Sequence, residues 1–203
     1  ERTASRGLVG NVYLGRVVRV LPGMQSAFVD VGLERTAFLH VADIWEERHN
    51  GERGSGEGPR PIERILSEGQ SLVVQVLKDP IGSKGARLST QISIAGRLLV
   101  YLPQEHHIGI SQRIEGELER EQLRGKLLQL VPTEEKGGFI VRTMAENASD
   151  DELANDIAFL RKIWSEVKHA AGAARPPALL YQDLTLGQRL LELGSEFVDS
   201  HDC

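Results

Sequence analysis

The chain has 203 residues, room for one large or two small domains, and its 40% hydrophobic and 26% charged content is ordinary for a globular protein. A formal net charge of −5 excludes binding to a polyanion through bulk positive field, so any such binding must come from individually placed residues. One cysteine, Cys203, excludes an internal disulfide framework and a CxxC-type zinc site within the chain, and leans toward an intracellular protein. No apolar run approaches a membrane-spanning length, and the N-terminus shows no signal-peptide pattern. Beginning at Glu1 without methionine, the chain reads as a piece of something larger.

Residues up to Leu8 are polar and read as a frayed approach. Asn11–Leu21 is rich in β-branched residues and closes on Pro22-Gly23, a strand signal. Gln25–Val31 alternates, with Ala27, Val29 and Val31 on one face and Phe28 and Asp30 on the other. After the turn Gly32–Arg35, Thr36–Val41 repeats the pattern: Ala37, Leu39 and Val41 on one face, Phe38 and His40 on the other. A purely structural sheet usually buries its phenylalanines; here the small and aliphatic residues take the core side. The segment Trp45–Arg64 includes the run NGERGSGEGPRP, rich in Gly, Pro and charge, which cannot bury apolar surface and is expected to be mobile. Gln70–Asp79 and Ala86–Ile92 supply a fourth and a fifth strand.

Five strands with a long connection between the third and fourth describe an OB-type barrel. In that architecture the second and third strands, with the loops joining strands one to two and four to five, form the ligand face. Phe28 and Phe38 fall on those strands, and Lys84 falls in the last of those loops. An outward aromatic pair suits base stacking, worth about 1–3 kcal/mol per base regardless of base identity. The alternative is that a bulge has displaced one of the two from the core. Lys84, between Gly82 and Gly85, is either a phosphate contact or a solvated loop lysine. Arg16 and Arg87 stay open as neighbours.

From Ser93 the texture becomes mixed α/β. Ala95–Leu102 is apolar and short, closed by Pro103. Glu115–Leu130 is a helix by composition, with Leu118, Leu123, Leu127 and Leu130 spaced for one face and the acidic run GELEREQ on a solvated one. Gly137-Gly138 opens a strand, Phe139–Thr143. Ser149–Ala171 carries a capping box, Ser149 with Glu152, followed by an apolar stripe of Leu153, Ile157, Leu160, Trp164 and Val167. Ala178–Gln182 reads as a strand, Leu184–Leu193 as a helix and Glu196–Asp199 as the start of a strand. His106-His107 has no third ligand at a useful spacing and reads as a solvated loop. Trp45 reads as packing.

The run GRVVRVLPGMQSAFVDVGLERTAFLHVADI resembles an S1 RNA-binding domain, specifically that of the bacterial RNase E/RNase G endoribonuclease family. KDPIGSKGARLSTQISIAGRLLVYLP, GISQRIEGE, GGFIVRTMAE and LRKIWSEV continue the likeness in order, over about residues 7–193, with wording nearer the RNase G branch. The resemblance implies a mixed α+β fragment: a lead-in over 1–9, an S1 (OB-fold) antiparallel β-barrel over 10–93, a "5′-sensor" α/β domain over 94–180, and over 181–203 the start of an RNase H-like segment.

It further implies that Phe28, Phe38, His40 and Lys84 contact RNA. Arg142 and Thr143, with Gly96 and Val100 seating the terminal nucleotide, would bind a 5′-phosphate. An arginine fork and a hydroxyl suit a phosphate monoester. A further arginine of that pocket would come from a part absent here. The implied partner is single-stranded RNA carrying a 5′-monophosphate, the implied location cytoplasmic, and the implied work rRNA maturation and mRNA turnover. The magnesium of the catalytic part and the zinc linking protomers of a dimer or tetramer would both lie outside this chain, which is therefore expected to be inactive alone. The competing expectation is a non-catalytic OB-fold RNA-binding protein.

Overall fold

The computed structural model describes residues 7–45 and 60–183. The expected helix Leu184–Leu193, the strand start at Glu196–Asp199, Cys203 and most of the loop following Trp45 lie outside the described residues.

A ten-residue strand, β1 (Val12–Leu21), starts the fold, followed by β2 (Ser26–Asp30) and β3 (Ala37–His40). A four-residue helix, α1 (Ile62–Ile65), precedes β4 (Ser71–Lys78) and β5 (Arg87–Ser89). The pairing order β1-β2-β3-β5-β4 returns to β1 and closes a five-stranded barrel. Every pairing in the ring is antiparallel except β3 with β5, which run parallel, Phe38 opposite Arg87. The antiparallel barrel expected from the five strand signals is thus sealed by one parallel contact. The fifth strand is also shorter than Ala86–Ile92, because only three residues ladder before the chain turns toward the second sheet.

The barrel core follows the alternation. Ala27, Val29, Ala37 and Leu39 are fully buried, together with Val17, Val74, Val76 and Leu88 from β1, β4 and β5. At the exit of β1, Gln25 adopts a left-handed conformation (φ 47°), uncommon for a residue with a side chain. Its side chain holds the turn in place: Nε2 donates to the Pro22 carbonyl at 2.7 Å, and Oε1 accepts from the Ile62 amide at 3.0 Å.

The remaining strands are β6 (Ile94–Ala95), β7 (Leu99–Leu102), β8 (Ile108–Ile110), β9 (Gly138–Val141) and β10 (Ala178–Tyr181), with helices α2 (Glu117–Leu130) and α3 (Asp150–Ala173). Strands β6-β7-β9-β8 form a second sheet, with β8 and β9 parallel. Its inner face buries Leu99, Tyr101, Phe139 and Val141 against Leu123 and Leu127 of α2 and Leu153, Ile157 and Leu160 of α3. The capping box at Ser149 is present in both directions: Glu152 N–H donates to Ser149 Oγ at 3.2 Å and Ser149 N–H to Glu152 Oε2 at 2.9 Å. One expectation for α2 needs correction. Leu118 is 72% exposed, because at 3.6 residues per turn it falls on the opposite side of the helix from the buried Leu127. Trp164 is half-buried at the border of the α3 stripe.

β10 does not join the second sheet. It pairs antiparallel with the first residues of β1, Val12 to Leu14, while the later residues of β1 pair with β2. The two sheets are further joined by Gln75 of β4, whose buried amide donates to the Gly10 and Ser93 carbonyls and accepts from the Ser93 amide. With every polar atom of that side chain engaged, its burial carries no unmet hydrogen bond.

Candidate nucleic-acid interface

Because neighbours in β2 and β3 are buried, Phe28 and Phe38 stand on the outside of the barrel, each half-buried. They are direct cross-strand partners, with ring centroids 6.4 Å apart and planes at 62°, edge to face. Such a pair is worth about 0.5–1.5 kcal/mol beyond its area burial, and it leaves ring surface for a third aromatic.

The row continues on both sides. Arg19 of β1 lies opposite Phe28, and Arg87 of β5 opposite Phe38, with Lys78 of β4 opposite Arg87. Two phenylalanines are thus bracketed by cations in a single register row. Arg19 escapes a simple reading of alternation because β1 bulges between Val17 and Arg19. The extra residue, Val18, is half-exposed at 52%, and the bulge turns Arg19 onto the aromatic face. Arg16 lies opposite Asp30, two pairs further along. Arg87 donates from Nε to Asp43 Oδ2 at 2.8 Å, and that hydrogen bond and charge hold the guanidinium still more firmly protonated.

His40 and Lys84 lie toward opposite ends of β3. His40 pairs with Ser26, and its Nδ1 accepts from the Ala42 amide at 3.0 Å, so the neutral ring carries its hydrogen on Nε2. Lys84 is exposed, in a tight turn in which the Ile81 and Lys84 backbones exchange hydrogen bonds of 3.1 and 2.9 Å. Gly85 serves packing here: a Cβ on it would lie 2.0 Å from the Thr36 carbonyl oxygen. With the Phe38 amide bonded to Ala86 O at 2.8 Å, this contact presses the Lys84 loop against the start of β3.

On the second sheet, Arg142 follows β9 in extended conformation and opens a 3-10 turn, Thr143–Ala145. Both Arg142 and Thr143 are exposed. Arg142 Nη1 donates to the Gly96 carbonyl at 2.6 Å, and the Arg142 amide donates to Leu98 O at 2.9 Å. A guanidinium carries five N–H donors, more than this bond uses. Val100 is half-buried between its register partners Ala95 and Ile140. By alternation from Ile140, Arg142 shares that face. Gly96, Val100 and Arg142 are therefore brought together, with Thr143 next in the chain.

His106 and His107 do not form a metal centre. His106 Nδ1 meets the Lys136 carbonyl, and His107 Nδ1 lies 3.4 Å from Glu105. Among the described residues no three His, Cys, Asp or Glu side chains cluster to hold a metal ion, so the donors present do not fit a magnesium or zinc site. No described helix is long and apolar enough to cross a membrane.

A closed barrel with aromatics outside its second and third strands, followed by an α/β sheet, defines an OB-type barrel protein with an α/β companion. Residues 93–197 match the model of the Ribonuclease E/G family, and the chain belongs to that family. It is 46% identical over 202 residues to Ribonuclease G of Escherichia coli (strain K12), covering 98% of this chain and 40% of that protein. It is 46% identical over 193 residues to Ribonuclease G of Haemophilus influenzae, covering 94% and 39%. Against Ribonuclease E of Nostoc sp. identity is 36% over 184 residues, 90% of this chain and 26% of that protein. The higher identity to the Ribonuclease G proteins agrees with the wording of the sequence blocks. The chain spans about two fifths of the Ribonuclease G relatives it matches.

Proposed function

We propose that this chain is the RNA-holding part of an endoribonuclease of RNA processing and decay, one that cuts single-stranded segments and is stimulated by a 5′-monophosphate. The observation that carries the reading is the Phe28–Phe38 pair on the outer barrel face, bracketed in register by Arg19 and Arg87. Stacking on aromatic rings tolerates any base, and flanking guanidiniums follow a phosphate backbone. That combination suits an enzyme that must grip many unpaired sequences. His40 and Lys84 extend the grip along β3.

In the second sheet, Arg142 and Thr143 bind the 5′-terminal phosphate, with Gly96 and Val100 seating the terminal nucleotide. Holding RNA at two places lowers the entropic cost of placing the scissile bond. Magnesium, which would activate water and stabilise the phosphodiester being cut, belongs to residues outside this chain, as does a zinc linking protomers of an oligomeric, cytoplasmic enzyme.

The test is RNA binding. The double variant Phe28→Ala/Phe38→Ala should lose affinity for an unstructured oligoribonucleotide by fluorescence anisotropy at fixed salt, about 1–3 kcal/mol for each lost stack. Unchanged affinity removes the stacking assignment.

A further inference from the structure

Behind the turn that carries Gly96 stands a carboxylate the sequence reading passed over. Asp156 lies on α3, and its Oδ2 accepts two backbone hydrogen bonds, from the Leu98 amide at 3.0 Å and the Leu99 amide at 2.9 Å. The same oxygen sits against the Gly96 Cα: a Cβ there would be 2.6 Å from it. The turn is closed by the Gly96 amide on the Leu99 carbonyl at 2.7 Å. Its outward carbonyls then hold Arg142, Gly96 O taking Nη1 at 2.6 Å and Leu98 O taking the Arg142 amide at 2.9 Å. One carboxylate oxygen thus anchors the inner side of a four-residue turn whose outer side orients the guanidinium.

We propose that Asp156 is the positioning residue of this pocket, acting through the 96–99 turn to set the Arg142 guanidinium for a 5′-terminal phosphate on RNA; the inference rests on the phosphate-binding reading of Arg142 given above. An ionised carboxylate accepting two amides makes stronger bonds than a neutral acceptor and fixes the turn more stiffly than its own closing hydrogen bond. Gly96 is required because the anchor reaches to van der Waals contact with the backbone. A methyl group there would push the turn off the carboxylate or the carboxylate off the amides.

The experiment uses the full-length protein and two oligoribonucleotides of one sequence, bearing a 5′-monophosphate or a 5′-hydroxyl. The readout is the ratio of their kcat/KM values, with melting temperature followed for each variant. Asp156→Ala should lower the ratio by about tenfold, the scale of lost hydrogen bonds to a charged group, and leave cleavage of the 5′-hydroxyl substrate in place. Asp156→Asn, which keeps an oxygen for both amides, should retain most of the ratio. Gly96→Ala approaches the same contact from the turn and should also lower it, and adding it to Asp156→Ala should cost less than the two separate losses combined.

Arg142→Ala is run in parallel. If it abolishes the ratio while Asp156→Ala and Gly96→Ala keep it, the positioning role is wrong and the pocket assignment stands. If Arg142→Ala keeps the ratio, the pocket assignment falls and the inference with it. If Asp156→Ala slows both substrates equally, Asp156 is a purely structural residue and the inference is overturned.

Discussion

Gly85 and Thr36 meet backbone to backbone: a Cβ on the glycine would lie 2.0 Å from the threonine carbonyl oxygen. The obstacle is main chain and cannot rotate away. Gly85→Ala should therefore displace the loop bearing Lys84 from the edge of β3, at a cost of about 1–3 kcal/mol, typical of overpacking. Urea denaturation gives the stability. RNA affinity should fall alongside it, whereas Lys84→Ala should lower affinity and leave stability within about 0.5 kcal/mol.

The cation-bracketed aromatic row makes separable claims about its members. Arg19→Ala should reduce the dependence of log affinity on log salt by about 0.7, the value for one phosphate contact on a single strand. Phe28→Ala should weaken binding without changing that slope. Anisotropy titrations across a salt series read both, and an unchanged slope for Arg19→Ala would remove Arg19 from the RNA path.

Glu135 ties three elements together. Its Oε1 accepts from the Tyr101 hydroxyl at 2.7 Å and the Gly137 amide at 3.0 Å, and its Oε2 from Arg161. Burial pushes the carboxyl upward, but the bonds from Tyr101, Gly137 and Arg161, with the Arg161 charge, outweigh burial and hold it below its ordinary 4.5. A depressed carboxylate stabilises the fold fully above its unfolded value and loses that contribution as pH falls through the folded value. Melting temperature should hence drop as pH falls below about 4.5. Glu135→Gln should show a shallower drop, because Glu152, lowered by its Ser149 and Arg97 contacts, still titrates. At neutral pH, Glu135→Ala should cost about 1.5–3 kcal/mol, the scale of hydrogen bonds to a charged group. Identical acid profiles for wild type and Glu135→Gln would show that the site does not contribute.

Two leucines of α2 on opposite sides of the helix offer a control on the core assignment. Leu127 is fully buried and Leu118 is 72% exposed. Leu127→Ala should cost about 2–5 kcal/mol and Leu118→Ala no more than about 0.5 kcal/mol, measured by denaturant midpoint. Equal losses would place Leu118 back in the stripe from which the structure removes it.

Much of this was legible one residue at a time. Alternation put Ala27, Val29, Ala37 and Leu39 inside and the two phenylalanines outside, because a period of two needs no knowledge of distant partners. The α3 cap and stripe were equally local. What stayed hidden depends on contacts between distant segments. The bulge at Val18 breaks the count that would have revealed Arg19. The parallel seal of β3 with β5 and the return of β10 to β1 are long-range pairings with no local signature. Asp156 reads as one more acid on a charged helix until the Leu98 and Leu99 amides are seen against it. Gly85 reads in the sequence only as a flank of Lys84, whereas its missing side chain makes room for the Thr36 backbone. The proposal that the second-sheet residues bind phosphate rests on family likeness, since an Arg-Thr pair by itself points nowhere.

The return of β10 to β1 gives the molecule two covalent crossings instead of one. The chain leaves the barrel after β5 and comes back to it in β10, which lies end to end with β2 along one side of β1. The second sheet is thus fastened to the barrel at two different strands, by the chain leaving β5 and by β10 laid on β1, and cannot turn freely about a single linker. The aromatic row and Arg142 are therefore carried on parts of one chain joined to each other twice, which restricts how far their separation can vary.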